Sequence, residues 1–182
     1  MKPHEYRDLI AAYIDANYAR RGIVVYTEVA LGKTIIGKNR QLDILALRRA
    51  DQRALGIECK YQDSQGTTDE KIPYALQDLE AMWIPGCLAY AGGGWSKGVL
   101  HTLEGSRLGV YCLPERPNLE RTLATRELDH VLAAVFGLWD VVIPGERLFS
   151  NDPQLTLMLR GGPKKVAPRP IVSPKKVADD EG

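Results

Sequence analysis

Two apolar, strand-like runs broken by charge, residues 41–47 and 54–61, constrain this chain more than anything else in it. The first carries Asp43 among Leu42, Ile44, Leu45 and Leu47; the second carries Glu58-Cys59-Lys60 after Leu55, Gly56 and Ile57. The polar segment 48–53 between them is a turn. Side chains alternate along a strand, so Glu58 and Lys60 share one face while Leu55, Ile57, Cys59 and Tyr61 take the other. A hairpin closing at Asp51-Gln52 sets Asp43 opposite Lys60 and one diagonal step from Glu58. Two carboxylates and an ammonium then share one small patch of an otherwise apolar sheet.

Charge taken out of water without a partner costs several kcal/mol. Two facing carboxylates also repel, and one pKa rises unless a cation sits between them. A divalent ion with oxygen ligands relieves both problems, and Mg²⁺ suits it, being held by one or two carboxylates together with water and phosphate oxygens. A lysine beside such an ion can orient or activate water, or offset charge on a phosphate. The chemistry that this patch supports best is metal-assisted hydrolysis of a phosphodiester.

The expected order is helix, strand, strand with Asp43, strand with Glu58-x-Lys60, then helix. It resembles the PD-(D/E)xK phosphodiesterase superfamily over roughly residues 2–113. The resemblance implies an α/β, restriction endonuclease-like three-layer core, with a central mixed β-sheet flanked by helices. It implies that Asp43 and Glu58 bind Mg²⁺ or Mn²⁺, that the Cys59 backbone carbonyl is a further ligand, and that Lys60 serves the attacking water. Leu42 stands where the motif's name has proline. The implied function is a metal-dependent deoxyribonuclease, an endonuclease of the restriction or resolvase type, with DNA as partner. The alternative is a noncatalytic nucleic-acid-binding or assembly module on the same scaffold. A homodimer is reasonable, because cutting both strands of a duplex is simplest with two symmetry-related sites.

At 182 residues and 45% hydrophobic content, the chain can bury a core without disulfides. No apolar run reaches membrane-spanning length and no secretory leader is evident, so a cytoplasmic protein is expected. Cys59, Cys87 and Cys112 are widely spaced in strand-like runs, which fits reduced core thiols. A nuclease-like domain is expected over 1–160, followed by a disordered Pro/Lys-rich tail over 161–182.

The net charge of +1 excludes a bulk polycation, so DNA contacts must come from local clusters. The candidates are Lys33, Lys38 and Arg40 before the Asp43 strand, and Gln62, Thr67, Thr68, Lys71 and Gln77 after the Glu58 strand. Thr67 and Glu70 have capping-box spacing ahead of a helix with Ile72, Leu76, Leu79 and Trp83 on one face. Two further acids are open to two readings. Glu5, in a first helix over 3–21, either answers the helix dipole or adds a metal ligand. Glu28, in a first strand over 23–31, is either a solvated strand charge or a third carboxylate near the metal. Gly32-Lys33-Thr34 lacks the upstream glycine and the following helix of a phosphate-binding P-loop and is set aside. Later segments read as a strand over 87–91, a turn at Gly92-Gly93-Gly94, a helix over 95–103, a strand over 108–113 and a last helix over 125–139.

Overall fold

Three antiparallel strands open the sheet: β1 (Ile23–Lys33), β2 (Asn39–Arg48) and β3 (Ala54–Tyr61). Two parallel strands follow, β4 (Gly86–Ala91) and β5 (Gly109–Tyr111), in the spatial order β1-β2-β3-β4-β5. The computed structural model describes residues 1–64, 69–146 and 149, and Met1–Pro144 form one compact unit. The expected tail at 161–182 lies outside the described residues, as does the boundary at 160.

Parallel neighbours need crossovers, and two helices supply them: α2 (Ile72–Glu80) between β3 and β4, and α3 (Lys97–Gly105) between β4 and β5. Both lie on one face, where Ile72, Leu76, Leu79 and Leu103 meet Leu88 and Tyr90. Helices α1 (Pro3–Tyr18) and α4 (Arg126–Phe136) cover the other face. There Tyr6, Ile10, Ile14, Leu128 and Phe136 pack on Ile44, Ile57, Cys59, Cys87 and Val110. The result is the expected mixed sheet between two helical layers.

Local chemistry sets the helix ends. In α1, Pro3 occupies the first turn and the Glu5 carboxylate accepts the Lys2 N–H at 2.8 Å. The helix stops at Tyr18, three residues short of the expected end, and a single 3-10 turn (Ala19–Arg21) runs into Gly22 at φ 78°. Ser96 caps α3 by accepting the Val99 N–H.

The β2–β3 register differs from the expected one. Ile44 pairs with Ile57 and Leu47 with Ala54, so the hairpin is centred on Ala50-Asp51 rather than on Asp51-Gln52. The connecting loop is closed by the Arg48 N–H on the Arg53 carbonyl and holds Gln52 at φ 58°. Each residue's partner shifts by two rather than one, so face assignments survive. The shift places Asp43 level with Glu58 instead of Lys60.

The backbone ladder of β2 with β3 ends at Ile44–Ile57, one residue before Asp43. Across β2 from Asp43, between the Thr27–Ile44 and Val29–Leu42 pairs, Glu28 adopts φ 55°. A bulky residue rarely holds that conformation, and such strain gathers where a strand is re-aimed near a functional site. Beyond it, the far end of the β1–β2 ribbon lies against α2, fastened by Arg40 and Ile35 to Asp78.

Candidate active site

Past the last β2–β3 ladder pair, the Asp43 carboxylate takes over the work of a backbone acceptor. It receives the Cys59 N–H at 2.8 Å. Glu58 and Lys60 leave β3 on the same face, and Lys60 Nζ reaches Glu58 Oε2 at 3.1 Å and Asp43 Oδ2 at 4.0 Å. The side chains are mostly covered: Glu58 is 19% exposed, Lys60 23% and Asp43 32%. The three charges therefore converge as the alternation of β3 required.

Burial pushes the Glu58 carboxyl up; Lys60 pulls it down and Asp43 pushes it further up, leaving it at about 7. Burial opposes the Lys60 ammonium, but Glu58 and Asp43 outweigh it and hold its pKa above the ordinary lysine value. One cation thus incompletely compensates two carboxylates.

A cavity of about 370 Å³ opens over Asp43, Cys59 and Lys60. Its far wall comes from α1, through His4 and Arg7, and Lys71 closes another side. Arg7 is held by Asp8 (Nε, 2.9 Å; Nη2, 2.8 Å) and by Glu28 (Nη1, 2.6 Å). Three of its five donors are used there. Neither His4 nor Arg7 follows from motif spacing; both sit on a helix more than thirty residues before Asp43, and only the packing of α1 on β3 brings them in.

The other candidates divide. Lys71 lines the cavity. Lys33 is exposed at the end of β1, Lys38 on the β1–β2 loop and Gln77 on α2; none of the three lines the cavity. Thr67 and Thr68 lie outside the described residues. Arg40 corrects the expectation of a phosphate contact: it is 7% exposed and forks onto Asp78, Nε to Oδ2 and Nη2 to Oδ1, both at 2.9 Å. Gln62 is a second correction. At 5% exposure it donates to Asp69 Oδ1 and to the Gly94 carbonyl, each at 2.8 Å, tying the end of β3 to the turn after β4. Glu5 serves the start of α1, and Glu28 points to Arg7; neither lines the cavity with Asp43.

The triple glycine has a packing purpose. A Cβ on Gly92, at φ 99°, would sit 2.2 Å from the Gln62 carbonyl oxygen, and one on Gly94 would sit 2.4 Å from the Ser64 nitrogen. Only hydrogens fit between these backbones, and that closeness lets the Gly94 N–H reach the Gln62 carbonyl at 2.9 Å.

A family model described as a PD-(D/E)XK nuclease superfamily domain matches residues 2–139. The chain belongs to the PD-(D/E)XK nuclease superfamily. This superfamily member is also similar to two solved structures. One is a protein of unknown function, 14% identical, with a TM-score of 0.39, covering 57% of this chain and 54% of that one. The other is a repair endonuclease from Pyrococcus abyssi, 16% identical, with a TM-score of 0.32, covering 54% of this chain and 42% of that one. The chain thus spans about half the length of these proteins or less. No curated protein matches it.

Proposed function

We propose that this PD-(D/E)XK protein is a Mg²⁺- or Mn²⁺-dependent endonuclease acting on DNA. The observation that carries the reading is the convergence of Asp43, Glu58 and Lys60, with Lys60 Nζ 3.1 Å from Glu58 and 4.0 Å from Asp43, where Asp43 and Lys60 line an open cavity and Glu58 lies behind them. The donor set fits a hard divalent ion: two under-compensated carboxylates and the Cys59 carbonyl oxygen would hold it. When bound, such an ion supplies Lewis-acid stabilisation of charge on the phosphate.

The chain's own residues supply the rest. Lys60 orients or activates the attacking water and offsets charge that builds on the phosphate. His4, Arg7 and Lys71 line the same cavity and present donors to the phosphate oxygens of the strand being cut. The Cys59 N–H fixes one Asp43 oxygen and so limits how that carboxylate can turn. Cutting both strands calls for two copies, and light scattering of the DNA complex reads their number. Three free, buried cysteines suit work in a reducing compartment.

The test is incubation of wild type, Asp43→Ala and Lys60→Ala with linear, circular and branched DNA in Mg²⁺, Mn²⁺ or EDTA. Wild type should nick or linearise circular DNA with metal, and each variant should lose at least about a hundredfold in rate. DNA binding by wild type without cleavage in either metal would leave the noncatalytic binding module instead.

A further inference from the structure

The loop joining β1 to β2 breaks a local rule. Tight turns favour Gly, Asn, Asp, Ser and Pro, whereas this one presents two adjacent β-branched apolar residues, Ile35 and Ile36, 44% and 61% exposed. A single exposed isoleucine is ordinary; a pair at the tip of a ribbon is a local cost that signals function. Lysines flank the pair on both sides: Lys33 ends β1 and Lys38 precedes β2. Neither forms an ion pair among the described residues.

The tip is also held. The Thr34 N–H meets the Lys38 carbonyl and the Gly37 N–H meets the Thr34 carbonyl, both at 2.8 Å. The Ile35 N–H donates to Asp78 Oδ1 at 2.8 Å, and Asp78 is itself gripped by buried Arg40. The isoleucines therefore stand on a brace rather than on a loose loop. Along the chain, Ile36 is seven residues from Asp43, which bounds their separation at about 24 Å, or about seven base pairs of duplex.

We propose that this hairpin tip is a DNA wedge. Ile35 and Ile36 enter the minor groove of the duplex flanking the cut and unstack a single base step, while Lys33 and Lys38 take phosphates on the two groove walls. Charge selects this occupant: two lysines astride an apolar tip match a groove walled by phosphates, and the ribbon that bears the tip also bears Asp43. Apolar side chains flanked by cations are what opens a step in minor-groove binding. The wedge rests on the reading of the protein as acting on DNA, but not on its cutting DNA.

The test uses duplexes with 2-aminopurine at single positions within seven base pairs of the cut, or spread along a 30-base-pair duplex if no cut is found. Wild type in EDTA should raise the fluorescence at one step only. Ile35→Ser/Ile36→Ser should abolish that rise and weaken binding about tenfold, and a mismatch or abasic gap at that step should restore its affinity. Lys33→Ala and Lys38→Ala should each lower the salt dependence of binding by about one charge. No bright step with wild type, or an undiminished one with the double variant, overturns the wedge. So does a double variant whose only change is a smaller oligomer by light scattering, since the tip then covers protein. A bright step in EDTA with no cleavage in Mg²⁺ or Mn²⁺ keeps the wedge and removes the nuclease reading; cleavage in either metal with no bright step in EDTA does the reverse.

Discussion

Asp78→Ala removes one half of a brace whose other half has nowhere to go. Arg40 is 7% exposed and Asp78 20%, and the Asp78 carboxylate accepts three hydrogen bonds, two from Arg40 and one from the Ile35 N–H. Taking away one partner of a buried pair costs about 3–5 kcal/mol, because the surviving charge stays buried. The fifth of Asp78 that water reaches trims this to about 2–4 kcal/mol. Replacing both partners, Arg40→Met with Asp78→Leu, should recover most of the loss. Urea denaturation of wild type, both single variants and the double variant measures it.

pH gives a second reading of the same pair. Arg40 holds the Asp78 carboxyl below the ordinary carboxylate range, burial opposes this, and the Ile35 N–H assists. A carboxyl with a lowered folded pKa contributes stability that is fully present above the unfolded value of about 3.9 and is lost as pH falls through the folded one. The gap between wild type and Asp78→Ala should therefore be constant from neutral pH to about 5 and shrink below about 4. A single variant that costs under about 1 kcal/mol would refute the brace. So would Arg40→Met lowering the salt dependence of DNA binding by one charge, for then Arg40 meets phosphate after all.

The other expectations are briefer. Asp129→Ala strips the acceptor from two buried hydroxyls, Tyr13 at 2.7 Å and Tyr18 at 2.6 Å, and should cost about 2–5 kcal/mol in denaturant; Asp129→Asn, which keeps an acceptor, should cost less. Gly94→Ala should lower the melting temperature because backbone at Ser64 cannot yield, while Gly93→Ala, with open space around it, should leave it unchanged. Arg7→Ala should weaken DNA binding about tenfold and lower its salt dependence by about one charge; an unchanged affinity would remove Arg7 from the phosphate wall.

The site's three charges were legible because they interrupt apolar β runs, where alternation alone decides which side chains share a face. Register was not, since a hairpin's pairing depends on the loop conformation, here one that uses Gln52 at φ 58°. The error was harmless only because it was even. Arg40 and Gln62 misled for a common reason: a polar side chain near a site in sequence reads as available, and its partners, Asp78 and Asp69 with Gly94, are fixed by helix and turn packing that spacing does not encode. The α1 wall was invisible in the same way. His4 and Arg7 lie on the polar face of an amphipathic helix, and nothing local distinguishes residues that overlook a cavity from those that face bulk water.

Cys59 divides its atoms between two jobs. Its N–H restrains Asp43, while its side chain lies in the α1 core with Cys87 and Cys112. Burial pushes the Cys59 thiol well above its ordinary range and Cys87 up to about 12. Alkylating dyes should pass over all three thiols in the folded protein, so a lone surface cysteine, Glu80→Cys for instance, can carry a fluorophore without a cysteine-free background. Should one be wanted, Cys59→Ala changes the greasy half of the residue and leaves in place the amide that holds Asp43.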